Sequence, residues 1–105
     1  MSEVGCLFCD LQTSGRERIV VENELAYAIR DAFPVTKGHT LVIPKRHTLD
    51  YFELSPDEVL AVNELINEQR QILLGFYRQI EGFNIGMNCG RVAGQSVWHC
   101  HVHLI

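Results

Sequence analysis

Three histidines alternate with other residues near the end of the chain, at positions 99, 101 and 103. In an extended strand, residues two apart point to the same face, about 6.5–7 Å from one another. A strand over residues 97–105 therefore predicts that His99, His101 and His103 line one face. Its core-facing side would consist of Trp98, Cys100, Val102 and Leu104. Three imidazoles in a row make poor packing material, so the pattern indicates chemistry rather than an ordinary polar sheet face.

Two kinds of chemistry suit this row of imidazoles. Histidines two apart on a strand can bind one Zn²⁺ with a further ligand from elsewhere. Alternatively, a neutral imidazole is a nucleophile toward phosphorus, and its neighbours supply hydrogen bonds and protons. The preceding segment favours the second chemistry, because it offers glycines, an amide and a hydroxyl to phosphate oxygens. These residues are Gly90, Gly94, Gln95 and Ser96.

Cys6 and Cys9 form a second candidate site near the start of the chain, with two residues between them. This spacing suits two thiolates on one Zn²⁺, but it also occurs in redox pairs and in buried thiols. The flanking residues do not place the pair between a strand and a helix in a thioredoxin-like unit, which argues against a redox role. Cys89 and Cys100 are predicted to be buried thiols.

Composition limits the classes of function. A chain of 105 residues is one domain, and its net charge of −4 argues against binding to nucleic acid. No apolar run approaches the ~18 residues of a membrane span, and the N-terminus does not resemble a signal peptide. We therefore expect a cytoplasmic protein with reduced cysteines. No P-loop and no carboxylate cluster for Mg²⁺ is present.

Hydrophobic patterning predicts the elements that position these residues. A hairpin is expected over residues 19–22 and 25–31, a strand over 39–44, a helix over 56–81, and strands over 83–88 and 97–105. Ser55-Pro56-Asp57-Glu58 is a capping box with proline at the first helical position, and Gly82 is the expected stop. The order of elements predicts an α+β fold in which one long helix covers one face of the sheet. The other face would be exposed, lie in a cleft or pair in a dimer.

Three segments carry a resemblance to a known family. GQSVWHCHVHLI resembles the signature of the histidine triad family, and GHTLVIPKRH resembles the strand and turn upstream of it. Together with the N-terminal CLFC, the likeness extends over nearly the whole chain. It implies a single domain, residues 1–105, with a five-stranded antiparallel sheet, one long helix and a short N-terminal helix. Because the chain ends directly after the histidines, one interpretation is that a C-terminal tail is missing.

The resemblance also implies an activity. Histidine triad proteins are nucleotide hydrolases and nucleotidyltransferases that cleave at the α-phosphorus through a nucleotidyl-histidine. The nucleophile would be His101, and His103 would donate to the α-phosphate. Ser96 matches a hydroxyl that contacts the phosphate or the leaving group. The expected substrates are purine nucleotide conjugates, either nucleoside phosphoramidates or dinucleoside polyphosphates.

The remaining substrate contacts follow from the same resemblance. Asp31 falls where the family binds the ribose hydroxyls, and Asn88 where it contacts phosphate or ribose. Gln95, with Ser96 and Val97, would complete the phosphate cradle. The walls of the base pocket would be Leu7, Phe8, Leu11, Ile29 and Ala32.

Several bacterial members of the family, and related uridylyltransferases, carry a structural zinc. The matching ligands in this chain are Cys6, Cys9, His47 and His99, a closed set of two thiolates and two imidazoles. With His99 bound to zinc, only His101 and His103 would face the substrate. The family also implies a homodimer, for which part of the long helix is a candidate interface.

Several alternatives stay open at this stage. The protein could be a nucleotide-binding or regulatory module with little turnover, or a zinc hydrolase with its metal on all three histidines. His39 either joins the active-site network or is an ordinary residue at a strand start. Lys45, Arg46 and Arg91 are candidates for outer phosphates, or plain surface charges.

Overall fold

A five-stranded antiparallel sheet forms the frame of the molecule. The computed structural model describes residues 5–105, so the first four residues of the predicted 1–105 domain lie outside this description. The elements are α1 (Leu7–Ser14), β1 (Ile19–Glu22), β2 (Ala26–Arg30), β3 (Thr40–Pro44), α2 (Pro56–Phe76), β4 (Ile85–Gly86) and β5 (Val102–Leu104), with 3₁₀ turns at Arg16–Arg18 and Tyr51–Glu53. The strand order is β1-β2-β3-β5-β4, with every neighbouring pair antiparallel. The predicted α+β architecture is confirmed.

Asn23 shapes the turn of the predicted first hairpin. Its side-chain oxygen accepts hydrogen bonds from the backbone N–H groups of Leu25 (3.1 Å) and Ala26 (2.9 Å). Such local bonds are the reason asparagine favours turns. The side-chain NH₂ of Asn23 donates to the carbonyl of Ala61 at 3.0 Å, so this residue also ties the hairpin to α2.

The two faces of the sheet pack against different helices. The face toward α2 buries Ala26, Ala28, Val42, Val102 and Leu104. The opposite face buries Tyr27, Ile29, Leu41 and Ile43 together with Phe8 and Leu11 of α1. The Tyr27 hydroxyl donates to the Phe8 carbonyl at 2.5 Å and so anchors α1. The short helix thus covers part of the face that the sequence left unassigned.

The long helix begins at the predicted capping box and ends five residues earlier than predicted. It stops at Phe76 rather than Glu81, because Tyr77 adopts an extended backbone conformation. Leaving the helix lets Tyr77, Ile80 and Phe83 pack against the core on the α2 side. The polar break in the apolar stripe, Gln69, is buried and accepts a hydrogen bond from the guanidinium of Arg30 at 2.6 Å.

The last two strands are shorter than predicted. Only Ile85–Gly86 and Val102–Leu104 pair as strands, whereas strands over 83–88 and 97–105 were expected. Val102 lies opposite Val42 in β3, so continuing that register would place Cys100 opposite Pro44. Proline has no N–H to give to a strand ladder, and Cys100 instead donates its N–H to the Thr48 carbonyl at 2.7 Å.

The predicted core side of the final segment is right for three residues of four. Cys100, Val102 and Leu104 are buried, but Trp98 is 48% exposed, because the chain before His99 does not run as a strand. Among residues 5–105, no helix combines the length and apolar character needed to span a membrane.

The capping box of α2 gives a stability prediction. Both carboxylate oxygens of Glu58 accept hydrogen bonds from the guanidinium of Arg46 (2.7 and 3.0 Å), and one also accepts from the Ser55 N–H (2.9 Å). We expect Glu58→Gln to lower the free energy of unfolding by about 1–3 kcal/mol, since charge-assisted bonds are lost at a buried site. Urea denaturation at pH 7 measures this. Glu64→Gln, an exposed position on the same helix, should change stability by no more than about 0.5 kcal/mol.

The difference in stability between wild type and Glu58→Gln depends on pH. The hydrogen bond from Arg46 holds the pKa of Glu58 below its ordinary value of 4.5. The unfolded chain therefore binds the proton first, and the contribution of Glu58 is full above pH 4.5 and lost as the pH falls below it. The stability gap between wild type and Glu58→Gln should narrow with acidification. A gap of constant size from pH 7 to pH 3 would contradict this assignment.

Candidate functional site

The three histidines do not share a single environment. His103 lies opposite Leu41 in the sheet register, which places it on the face that α1 covers. The rings of His101 and His103 are adjacent, with centroids 5.1 Å apart. The ring of His99 is fully buried and lies 5.0 Å from the ring of His47. The ring of Phe8 packs edge-on against the rings of both His99 and His101, with ring centroids 5.9 and 5.1 Å apart.

A backbone carbonyl fixes the orientation of His101. Nδ1 of this ring lies 2.8 Å from the carbonyl oxygen of His99. A carbonyl can only accept a hydrogen bond, so Nδ1 carries the proton in the neutral ring. The lone pair is then on Nε2, on the far side of the ring. His101 is therefore held in the form in which Nε2 can attack an electrophile.

His103 belongs to a second hydrogen-bonded group. Nδ1 of His103 lies 2.9 Å from Nε2 of His39. Nε2 of His39 also lies 3.4 Å from a carboxylate oxygen of Asp31. Of the two interpretations of His39, the contacts favour participation in the network. Burial, followed by the neighbouring His101 and His39, lowers the pKa of His103 below its ordinary value, while Asp31 acts in the opposite direction. The neutral ring is thus favoured.

The four candidate metal ligands come together. The donor atoms of Cys6, Cys9, His47 and His99 all lie within 4.8 Å of one another. Nδ1 of His99 lies 3.4 and 3.6 Å from the two sulfurs, and Nδ1 of His47 lies 3.3 Å from Sγ of Cys9. Ligands on a tetrahedral zinc at ordinary bond lengths are separated by about 3.3–3.8 Å, so the geometry fits such a centre.

The surroundings of this cluster also suit a metal. Nε2 of His99 donates to the Pro44 carbonyl at 2.8 Å, which leaves the Nδ1 lone pair directed at the thiols. Burial lowers the pKa of His99, and the neutral imidazole is the form that binds a metal. The backbone N–H of Cys9 donates to Sγ of Cys6 at 3.4 Å, which orients that sulfur. Within residues 5–105, His99 and His103 fall in separate donor groups, which disfavours one metal on all three histidines.

The loop before the histidines is held by its own side chains. Gly90 and Gly94 both have a φ of 92°, a conformation that suits glycine. The Gln95 side chain is buried, accepts from the Gly90 N–H at 2.8 Å and donates to the Leu49 and Val97 carbonyls. The Asn88 amide donates to the Ala93 carbonyl at 2.6 Å. Gln95 and Asn88 thus stabilise the loop, and their predicted contacts with substrate stay predictions.

Ser96 is exposed and lines a cavity of about 410 Å³. The other lining residues are Gly5, Cys6, Leu7, His47, Val97 and Trp98. Of the residues predicted to contact the base, Phe8, Leu11 and Ile29 are buried in the core, whereas Leu7 is 51% exposed. Leu7 is the member of that set that lines this cavity, and Ala32 is exposed. Val97, predicted to belong to the phosphate cradle, lines the cavity as well.

The histidine triad resemblance implies that a backbone carbonyl of the same strand holds the second ring nitrogen of His101, and the His99 carbonyl lies 2.8 Å from that nitrogen. Sequence reasoning missed two other backbone groups of the site, the carbonyl of Pro44 and the N–H of Val35, which orient His99 and His39. Every residue has such groups, so the residue types carried no signal for them. The proline that ends β3 was the one available indication, because a strand that stops leaves carbonyls without ladder partners.

Comparisons with known proteins match the chain to one family and to individual relatives. The HIT domain family matches residues 12–105. An uncharacterised HIT-like protein of Mycoplasma genitalium is 43% identical over 101 residues, covering 95% of this chain and 71% of the relative. An adenosine 5′-monophosphoramidase of Schizosaccharomyces pombe is 32% identical, covering 97% of this chain and 74% of the relative.

Solved structures of proteins from this family match nearly the whole of the chain. A HIT family protein of Bacillus anthracis has a TM-score of 0.89 and 37% identity, covering 99% of this chain and 74% of that one. A zinc-bound histidine triad family protein of Mycobacterium smegmatis has a TM-score of 0.84 and 34% identity, covering 96% and 73%.

The geometry at His101 gives a spectroscopic prediction. In two-bond ¹H–¹⁵N correlation spectra at pH 8, His101 should show the tautomer with the proton on Nδ1, because the His99 carbonyl accepts it. The resonances are assigned by their loss in His101→Asn. Observation of His101 with its proton on Nε2 would contradict the arrangement described above.

Proposed function

The chain belongs to the histidine triad (HIT) family, and we propose that it cleaves purine nucleotide conjugates at the α-phosphorus through a nucleotidyl-His101 intermediate. The proposed substrates are nucleoside phosphoramidates or dinucleoside polyphosphates. The observation that carries the proposal is the 2.8 Å contact between Nδ1 of His101 and the His99 carbonyl, which leaves Nε2 with the lone pair. The named phosphoramidase of S. pombe among its relatives supports the substrate class.

The proposed reaction has two displacements. Nε2 of His101 forms a bond to the α-phosphorus while the bond to the leaving group breaks, and the leaving group departs with the electron pair and takes up a proton. The exposed hydroxyl of Ser96 is the candidate donor of that proton. Water then attacks the phosphorus and gives a proton back to the Ser96 oxygen, while the bond between phosphorus and Nε2 breaks. This step releases the nucleoside monophosphate and returns the electron pair to Nε2 of His101. Splitting one difficult displacement in this way is the advantage of a covalent step.

His103 is proposed to stabilise the charge that builds up on the phosphate. Its ring is adjacent to that of His101, and its Nδ1 already has a partner in His39, so Nε2 is the nitrogen available to the substrate. A neutral ring with the proton on Nε2 donates a hydrogen bond to a phosphate oxygen. We further propose that Asp31 binds the ribose hydroxyls, since a carboxylate accepts from both.

We propose a structural zinc on Cys6, Cys9, His47 and His99. The donor spacing, the second hydrogen bond of His99 and the zinc-bound relative of M. smegmatis support it. All four positions of a tetrahedral ion would come from the protein, which leaves no place for substrate on the metal. Bound zinc would supply cross-linking of α1, the segment after β3 and the segment before β5.

A homodimer remains part of the proposal, with the end of α2 as the candidate interface. The apolar stripe of α2 was predicted to be mainly core, and Leu65 of this stripe is buried. Ile72 and Phe76, of the same stripe, are 38% and 78% exposed and are the candidates for the interface.

The activity is tested by release of nucleoside monophosphate. Adenosine 5′-phosphoramidate, a diadenosine polyphosphate and adenosine 5′-phosphosulfate are supplied separately at pH 7, and AMP is measured by chromatography. We expect AMP from at least one substrate and a loss of at least about 1,000-fold in kcat for His101→Ala, because the nucleophile is removed. Gln71→Ala, an exposed position on α2, is the control and should keep full activity.

Two outcomes would contradict this proposal. Equal AMP release by wild type and His101→Ala would remove His101 from the chemistry. No AMP from any substrate, with AMP itself binding to the folded protein, would instead support a nucleotide-binding module.

The zinc proposal predicts a stability effect that is separate from chemistry. Native mass spectrometry should find one Zn²⁺ per chain, retained in Cys89→Ser and lost in Cys6→Ser and Cys9→Ser. Zinc removal by a chelator should lower Tm by about 10 °C or more, since a bound ion stabilises only the folded state. At a temperature where the chain stays folded, turnover should fall no more than about tenfold. Immediate and complete loss of turnover in folded protein would indicate a catalytic metal instead.

A further inference from the structure

Asp31, His39 and His103 form a chain of three titratable groups beside the proposed nucleophile. Asp31 follows β2, His39 precedes β3, and His103 lies in β5, so the sheet brings together residues distant in sequence. Nε2 of His39 lies 2.9 Å from Nδ1 of His103 and 3.4 Å from a carboxylate oxygen of Asp31. His39 is 3% exposed, which makes its hydrogen-bond partners decisive for its protonation state.

The position of each proton follows from a backbone N–H. Val35 donates its N–H to Nδ1 of His39 at 3.1 Å, so Nδ1 holds the lone pair and the neutral ring carries its proton on Nε2. That proton has two acceptors within reach, Nδ1 of His103 and the Asp31 carboxylate. When it is given to His103, the proton of the neutral His103 ring must be on Nε2.

The proton on Nε2 of His39 also makes this group unsuitable as a second metal site. Its three donor atoms lie within 4.8 Å of one another. The same holds for the donor atoms of Cys6, Cys9, His47 and His99, the Cys6 cluster. However, Nε2 of His39 carries a proton and has no lone pair for a metal. In the Cys6 cluster, by contrast, the nitrogen of His99 that faces the sulfurs is free, because the opposite nitrogen donates to the Pro44 carbonyl.

We propose that His39 is a positioning residue that couples recognition of the ribose at Asp31 to the protonation geometry of His103. This inference rests on the proposed function, in which Asp31 binds the ribose hydroxyls. In the free protein the Asp31 carboxylate competes with His103 for the Nε2–H of His39. Ribose hydroxyls that donate to Asp31 occupy that carboxylate and leave the His39 proton to His103. His103 then directs its own Nε2–H at the phosphate.

Asp31 itself is well placed to respond to a sugar. One of its carboxylate oxygens accepts the Phe33 N–H at 2.9 Å, which orients the group, and the other faces His39. The side chain is 19% exposed, so a hydroxyl can reach it without displacing the fold. Sugar recognition therefore contributes to kcat and not only to binding.

The kinetic test compares adenosine 5′-phosphoramidate with its 2′,3′-dideoxy analogue. In wild type we expect the dideoxy substrate to have a kcat about five- to tenfold lower, the worth of one hydrogen bond, besides any change in KM. In His39→Leu the two substrates should have nearly equal kcat, while the KM difference persists because Asp31 still binds the ribose. His39→Gln, which keeps an N–H donor, should restore part of the kcat difference.

A purely structural role for His39 gives a different pattern. His39→Leu would then lower kcat equally for both sugars and keep their ratio, and that result would overturn the proposal. If the dideoxy substrate changed KM but not kcat in the wild-type protein, the proposal would be overturned as well. Absence of turnover of either substrate by wild type would count against the proposed function rather than against the coupling.

A second measurement tests the coupling without turnover. In two-bond ¹H–¹⁵N spectra at pH 8 with AMP bound, His103 should carry its proton on Nε2 in wild type and should show a mixture of both tautomers in His39→Leu. Thermal melting checks that the variant folds; if it does not, His39→Gln replaces it and should keep the wild-type tautomer. The proton of His103 on Nδ1 in the AMP-bound wild-type protein would overturn the inference.

Discussion

The buried residue His99 connects the two halves of the site. Its ring donates from Nε2 to the Pro44 carbonyl and presents Nδ1 to the two thiols of the Cys6 cluster. Its own carbonyl accepts the Nδ1–H of His101. The ring therefore belongs to the proposed metal centre, while the backbone of the same residue orients the proposed nucleophile. Any movement of His99 would change both at once, which is a reason for a site of this kind to be tied to three separate segments of the chain.

The fold produces this arrangement at the point where strand pairing stops. Pro44 ends β3 and has no N–H, so β5 cannot continue its ladder toward Cys100. The carbonyl of Pro44 is then available to His99, and Cys100 turns to the Thr48 carbonyl. The strand is short because of the same proline that supplies a partner to the histidine. The long helix has a different task, since it buries the opposite face of the sheet and leaves the α1 side to the histidines.

Side-chain patterns in the sequence predicted the elements better than the details of the backbone. The capping box of α2 and the hairpin around Asn23 follow from residue types and spacing, whereas the gathering of Cys6, Cys9, His47 and His99 was implied by the resemblance to the histidine triad family. The ends of α2 and of β5 could not be predicted in this way, because they depend on where Tyr77 packs and on what lies opposite Pro44. Gln95 shows the limit of this reasoning for polar residues, because its amide, which would suit a phosphate, is hydrogen-bonded to the backbone of Gly90 and Leu49. The partners of His39 could not be predicted either, since one of them is a backbone N–H.

The central claim is that Nε2 of His101 is the nucleophile. Rapid mixing of the zinc-loaded protein with adenosine 5′-phosphoramidate, quenching at successive times and intact-mass spectrometry with fragmentation test it directly. We expect a transient gain of one adenylyl group, located on His101, that forms before free AMP accumulates and is absent in His101→Ala. Formation of AMP in the first turnover without an adduct at any time, or an adduct on a different residue, would contradict it.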